Sequence, residues 1–113
     1  DGLSIGDLGL LGQIDRGADC PSELARSLRM DPARVTHVTD RLVALGYVTR
    51  ASDLVDRRRW RLSLTQSGAA RLADCRAETV SAVEALIQGL SLEERDAVAI
   101  GVTGIRRVLD LRA

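Results

Sequence analysis

Residues 31–46 read DPARVTHVTDRLVALG and predict one complete amphipathic helix with both of its ends. Asp31 followed by Pro32 is a strong start signal, in which an Asx side chain caps the helix and proline takes the first helical position. Apolar residues then recur at spacings of 3, 4 and 3 and share one face; these are Val35, Val38, Leu42 and Leu45. Gly46 is the expected C-terminal cap. The stretch predicts a helix from Asp31 to Leu45.

Two shorter helices are predicted ahead of this one. Ser4 with Asp7 three residues later resembles a helix N-cap, which gives a first helix of about Ser4 to Arg16. A second helix begins near Cys20-Pro21, with proline at its first position. A short helix, a tight turn and the helix at Asp31 form a helix-turn-helix, the arrangement that presents its second helix to the DNA major groove.

The outer face of the predicted second helix of this motif has side chains suited to DNA. Helical geometry places four residues opposite the apolar stripe and two arginines on its shoulder, namely Ala33, Thr36, His37 and Asp40, then Arg34 and Arg41. Thr36 can bond to bases or touch a thymine methyl, and His37 can donate to guanine N7 or O6. For His37 a DNA contact is favoured over a merely solvated side chain, and the arginines suit phosphates.

After Gly46 the pattern changes to that of a β-hairpin. Tyr47–Arg50 and Trp60–Leu64 are short β-prone runs, and the second alternates strictly, so that Trp60 is predicted to lie in the core with Leu62 and Leu64. The hairpin adds five cations that are candidates for DNA contact: Arg50, Arg57, Arg58, Arg59 and Arg61. An arginine-tipped loop can enter a narrow, A·T-rich minor groove.

Two longer helices complete the predicted chain. Thr65 can cap a helix that runs to Gly89, and Ser91–Glu94 is a capping box for the last one. Their apolar stripe fits either an ordinary core or a dimer seam. The fold class is therefore mainly α with a small β-hairpin: residues 1–68 form a winged helix-turn-helix region, and residues 69–113 form C-terminal helices for dimerisation within one compact unit.

Composition supports a folded domain whose neutral total hides a basic centre. The 113 residues carry 16 acids and 16 basic residues, all of them Arg, and the formal net charge is zero. Residues 26–61 hold nine Arg and four acids, a net +5, which is the electrostatic pattern of a phosphate-binding surface. No apolar run approaches membrane-spanning length and no secretory signal is visible, so we expect a cytoplasmic protein with no membrane partner.

Five segments together resemble the MarR (multiple antibiotic resistance regulator) family of winged helix-turn-helix transcription factors. They are Ser22–Ala25 (SELA), Val35–Leu42 (VTHVTDRL), Gly46–Arg50 (GYVTR), Asp56–Arg58 (DRR) and Leu62–Gly68 (LSLTQSG). The ordered set is specific, although each piece alone is not. The resemblance implies a homodimeric regulator, most often a repressor, that binds a pseudo-palindromic operator in double-stranded DNA and is released by a small aromatic or phenolic effector or by oxidation.

The resemblance also assigns individual roles. It implies that Asp31–Leu45 is the recognition helix and Asp53–Arg59 the wing tip, where Asp56 braces the loop and Arg58 reaches into the minor groove. The chain departs from the family in two ways. His37 stands where the family more often has Arg, and the helix that usually precedes the one at Ser4 is absent, so that it was either trimmed or never present.

The remaining candidates concern chemistry other than DNA binding. Cys20 lies at a helix N-terminus, where the thiolate is stabilised, and is the candidate redox residue, although an inert thiol is favoured. Cys20 and Cys75 lie far apart, and His37 is the only histidine, so no metal site and no cofactor are expected. No G-x-S-x-G, P-loop, H-E-x-x-H or Cys-His pair occurs, so an enzyme is not predicted. The alternative to DNA binding is a winged-helix module that docks an acidic protein.

Overall fold

The computed structural model describes residues 2–56 and 58–112, and the side chains of residues 111 and 112 are left out of the description. Its elements in chain order are α1 (Ile5–Asp15), α2 (Pro21–Leu28), α3 (Pro32–Ala44), β1 (Val48–Ser52), β2 (Trp60–Leu64), α4 (Gln66–Gln88) and α5 (Leu92–Arg112). This order confirms the predicted fold class of a mainly α chain with one small hairpin.

The helix starts follow the local signals with one exception. Ser4 and Asp7 form a full capping box, in which each side chain accepts a hydrogen bond from the other residue's backbone N–H, at 2.8 and 3.1 Å. Pro21 and Pro32 both occupy the first helical position. The prediction that the Asp31 side chain caps α3 is wrong, because it makes no capping hydrogen bond. Its carboxylate is exposed and stays solvated, while its backbone carbonyl accepts from Val35.

The core lies between the first three helices and the hairpin. It consists of Leu10, Leu11, Ile14, Ala18, Leu24, Val35, Val38, Leu42, Val48, Leu62 and Leu72. Three of the four apolar residues predicted for the inner face of α3 are therefore buried. The fourth, Leu45, is 49% exposed, which corrects that prediction. Leu45 is the C-cap residue, where the chain already leaves the helix toward Gly46.

The hairpin is antiparallel, with a register that runs from Val48 opposite Leu64 to Ser52 opposite Trp60. Leu62 is buried as predicted, but Trp60 is 49% exposed, so its predicted place in the core is wrong. Trp60 pairs at the far end of the ladder, beyond the reach of the core. There the guanidinium carbon of Arg50 lies 5.8 Å from the ring centroid, in cation–π range.

The start of α4 is held tightly against the residues that lead into β1. The Thr65 side chain accepts from the Gly68 backbone N–H at 2.9 Å, which confirms the predicted cap, and it donates to the Gly46 carbonyl at 2.6 Å. A Cβ atom on Gly68 would lie 2.0 Å from the Tyr47 carbonyl oxygen. Only glycine permits this close approach of helix and backbone.

The chain divides into two compact units, of which the first ends at Cys75 and the second begins at Arg76, within α4. In the second unit Ser91 and Glu94 form the predicted capping box at the start of α5. Many of the large apolar side chains described in this unit are exposed in the single chain, among them Val80, Val83, Leu86, Leu92, Val98, Ile100, Val102, Ile105, Val108 and Leu109. Across the described residues, neither long helix is apolar enough over its length to span a bilayer.

Candidate nucleic-acid interface

The outer face of α3 is polar and exposed. Five of the predicted DNA-contacting residues lie on it and are all exposed: Ala33, Arg34, Thr36, His37 and Asp40. Because Val35, Val38 and Leu42 are buried on the opposite side, helix geometry fixes which side chains face solvent. This is the face that a helix-turn-helix presents to base edges.

Thr36 uses its hydroxyl proton within its own helix. Its Oγ1 donates to the Pro32 carbonyl at 3.2 Å, so the hydroxyl oxygen remains available as an acceptor and the methyl group points away from that bond. A methyl group on an exposed helix face suits contact with the thymine C5-methyl, while an exposed imidazole such as that of His37 suits hydrogen bonding to purine edges. The pair supplies chemistry for direct readout.

Arg41, predicted to contact phosphate from the shoulder of α3, is bound by other groups of this chain although its side chain is 45% exposed. One guanidinium nitrogen lies 3.1 Å from the Asp7 Oδ2 atom, and the other donates to the Gly2 carbonyl at 2.6 Å. Asp7 is 1% exposed, so Arg41 neutralises a buried carboxylate on α1. The sequence indicated Asp7 only as the partner of Ser4 in the capping box. Its second partner, Arg41, lies on another helix, so no local pattern showed this pair.

Arg50 is likewise held by neighbours. It forms an ion pair with Asp40 at the exposed face of α3, and its guanidinium lies over the Trp60 ring. The Asp40–Arg50 pair joins the recognition helix candidate to β1. Both residues were predicted to contact DNA, and in this structure they contact each other.

The wing loop between the strands is organised by Asp53, which sequence reasoning missed. Its Oδ1 accepts from the Val55 backbone N–H at 2.8 Å, and its own N–H donates to the Arg59 carbonyl at 2.9 Å. The hydrogen bond from Val55 is the main cause that lowers the pKa of Asp53. Asp residues in loops commonly form Asx turns of this kind. The residue type of Asp53 is therefore the sequence signal that could have identified it.

Asp56 lies where the resemblance places the bracing acid. Its Oδ1 accepts from the backbone N–H of Arg58 at 3.1 Å and lies 3.2 Å from the Arg58 Nε. The Arg58 side chain is nevertheless 92% exposed, so its guanidinium projects into solvent from the loop. Arg57, also predicted to contact DNA, lies outside the described residues.

Strand β2 is fastened to the loop before α2. Arg61 pairs with Asp19, and its Nε lies 3.4 Å from the Asp53 Oδ2; Asp19 is the main cause that raises the pKa of Arg61. The Leu62 backbone N–H also donates to the Asp19 carbonyl at 2.7 Å. Arg61, a predicted DNA contact, is here part of the attachment of the wing.

Cys20 lies beside this attachment, half-buried as the N-cap residue of α2. Its Sγ is 3.5 Å from the Ser22 hydroxyl and accepts from Arg59 at 3.5 Å; the Ser22 hydrogen bond is the main cause that lowers the pKa of the thiol. The ligand atoms of Asp19, Cys20 and Glu23 lie within 4.8 Å of one another. Arg61 and Arg59 already supply the positive charge that this group attracts.

Comparisons with known proteins agree with this geometry. A family model described as "MarR family" matches residues 1–59. The HTH-type transcriptional repressor YetL of Bacillus subtilis is 32% identical over 98 residues. That alignment covers 84% of this chain and 59% of YetL, so the chain spans about three fifths of the length of this curated relative.

Two solved structures are similar along almost the whole chain. Streptococcus pneumoniae FabT in complex with DNA is 27% identical with a TM-score of 0.77, and the match covers 98% of this chain and 78% of FabT. Wild-type MarR in its apo form, from E. coli, is 26% identical with a TM-score of 0.78, and the match covers 91% of this chain and 78% of that protein. The fold of the chain thus has counterparts both in an apo protein and in a protein in complex with DNA.

Proposed function

The chain belongs to the MarR family, and on that basis we propose that it is a DNA-binding transcriptional regulator. In this proposal α3 enters the major groove and the wing reaches the adjacent minor groove. Thr36 and His37 contact base edges, Arg34 contacts phosphate, and Arg58 carries the positive charge at the wing tip. FabT, a similar protein, has been solved in complex with DNA, which supports this mode of binding.

One observation carries the proposal. The exposed polar face of α3 lies beside a hairpin that is fastened to the same helix by the Asp40–Arg50 pair. A helix and a wing with a fixed mutual position match two successive grooves of one duplex, because the spacing of major and minor groove is itself fixed. The surrounding sequence, residues 26–61, supplies the net +5 that attracts phosphate.

We further propose that the regulator acts as a homodimer and a repressor. The exposed apolar side chains of the second unit are of the size and number that a homodimer seam buries. A two-fold dimer reads two half-sites about one DNA turn apart, which is the pseudo-palindrome expected of its operator. The relative YetL is named as a repressor, which favours repression over activation.

Release from DNA is proposed to follow from a small aromatic or phenolic effector or from oxidation. Cys20 is the thiol on which an oxidant would act, because its pKa is lowered and it contacts Arg59 of the wing. A modified Cys20 would change the contacts of the wing with the loop before α2. This regulation is separate from DNA binding and can be absent without affecting it.

The test begins with DNA fragments, because neither the sequence nor the structure gives the operator. Sheared genomic DNA is retained on the purified chain at several salt concentrations, and the best-retained fragment is footprinted with the chain at increasing dilution. We expect two protected patches about 10 base pairs apart, which would report both the dimer and the contact of each recognition helix with its half-site. Absence of any retention at physiological salt would overturn the proposal and favour docking of an acidic protein partner.

A further inference from the structure

The wing tip exposes two consecutive aliphatic side chains. Leu54 is 98% exposed and Val55 is 96% exposed, whereas Leu62 on the neighbouring strand is 3% exposed. Single exposed apolar residues are common on protein surfaces, but two adjacent ones at the end of a loop are placed to contact something else. The polar residues Asp53 and Asp56 flank them on both sides.

The two side chains are held outward by defined contacts at the base of the tip. The Asp53 carboxylate binds the Val55 backbone N–H, and the Asp53 N–H binds the Arg59 carbonyl, which closes the loop below the tip. Arg61 pairs with the same carboxylate from β2. The tip is therefore prepared before any partner binds, which lowers the entropic cost of a contact.

Charge and shape favour a DNA groove as the partner of the tip. Arg58, 92% exposed, projects from the same loop, so aliphatic and cationic groups occur together. A minor groove about 6 Å wide offers this combination, because its negative potential attracts arginine and its walls are made of deoxyribose C–H groups. Apolar side chains, leucine among them, are used by other minor-groove proteins to contact DNA.

We propose that Leu54 and Val55 pack against the deoxyribose walls of the minor groove while the Arg58 guanidinium lies along its floor. This inference rests on the proposed function and adds an apolar, salt-independent contribution to DNA binding at the wing. The contribution depends on groove width, because only a narrow groove brings both walls within reach of the tip. It therefore favours A·T-rich DNA beside each half-site without any hydrogen bond to a base.

The experiment compares three variants on the footprinted fragment, with binding constants measured over a series of salt concentrations. We expect the double variant Leu54→Ser with Val55→Ser to bind about tenfold more weakly at every salt concentration, with the salt slope unchanged. The variant Arg58→Ala should instead flatten the slope by about one ion. The matched control Leu54→Met with Val55→Ile keeps the apolar surface and should bind as the wild type does.

Each remaining outcome has a definite meaning. Wild-type affinity in the serine variant would overturn the inference and leave the proposed function intact. A flattened salt slope in the serine variant would do the same, because it would report a lost charge contact and not a lost apolar one. No binding by the wild-type chain would overturn the proposed function itself. Thermal unfolding of the serine variant verifies the fold, because substitutions at sites exposed by 96% and 98% should leave the midpoint unchanged.

Discussion

Three arginines in and around the hairpin differ from Arg58 at its tip in what surrounds them. We define the anchoring arginines as Arg41 on α3, Arg50 on β1 and Arg61 on β2, each of which pairs with an aspartate from another part of the chain. Arg58 at the tip pairs with its own loop neighbour Asp56 and is 92% exposed. A cluster of positive charge in a sequence thus overstates the number of cations that could contact DNA under the proposed function, because part of it holds the wing and α3 in place.

The tight contact beneath the hairpin gives the largest expected effect. Gly68→Ala places a Cβ atom 2.0 Å from the Tyr47 carbonyl oxygen, so helix α4 or the start of the hairpin must shift. We expect a loss of more than about 3 kcal/mol in the free energy of unfolding, measured by urea denaturation. Gly101→Ala is the control, since a Cβ there meets nothing within 4 Å, and it should stabilise by about 0.5 kcal/mol. Equal stabilities for the two variants would contradict the packing described.

Removal of an anchoring arginine gives the next largest expected effect. Arg41→Ala leaves the Asp7 carboxylate buried without its cation, and we expect a loss of about 2 kcal/mol in the same measurement. Arg34→Ala, an exposed position on the same helix, should change stability by less than about 0.5 kcal/mol. If the two variants unfold at the same urea concentration, Arg41 is not a structural residue.

The outer face of α3 should determine which sequence is bound. His37→Ala should cost about 1 kcal/mol on the preferred site and little on random DNA, because a base-edge contact is lost only where the correct base is present. Selection from a randomised half-site, repeated for the variant, measures this directly. An unchanged preferred sequence would assign His37 to solvent.

The pH dependence of the hydrogen bond between Asp53 and Val55 in the wing loop is the smallest expected effect. Because the pKa of Asp53 is lowered below its ordinary value of 3.8, its stabilising bond to Val55 is complete above that value and is lost as the pH falls through the lowered pKa. The amide NMR signal of Val55 should therefore titrate below about pH 4. Asp53→Asn should abolish the titration, and a Val55 signal that titrates unchanged in that variant would exclude Asp53 as its cause.

Local signals predicted the elements well, and long-range contacts account for what they missed. The caps at Ser4, Thr65 and Ser91 each depend on residues three positions away, so the sequence shows them directly. The Asp19–Arg61 pair joins residues 42 positions apart, and no periodicity reports it. Trp60 was misplaced for the same reason, since strand alternation gives the face of a residue but not how far the core extends along the strand.

The candidate site divides in the same way. The exposed face of α3 follows from helical geometry, so its residues were identified without a structure. Which arginines are already paired depends on aspartates that folding brings near, and such pairs lie too far apart in the sequence to leave a local pattern. Asp7 and Asp53 illustrate the point. Each carboxylate accepts a hydrogen bond from a backbone N–H close in sequence and also pairs with an arginine of another element.

The most direct test of the difference between the anchoring arginines and Arg58 at the tip is the salt dependence of DNA binding in two variants. Arg58→Ala should lower the slope of log affinity against log salt by about one, whereas Arg50→Ala should leave the slope unchanged because Arg50 pairs with Asp40 and lies over Trp60. The same fragment and temperature are used for both variants and the wild type. An equal fall in slope for the two variants would contradict the account.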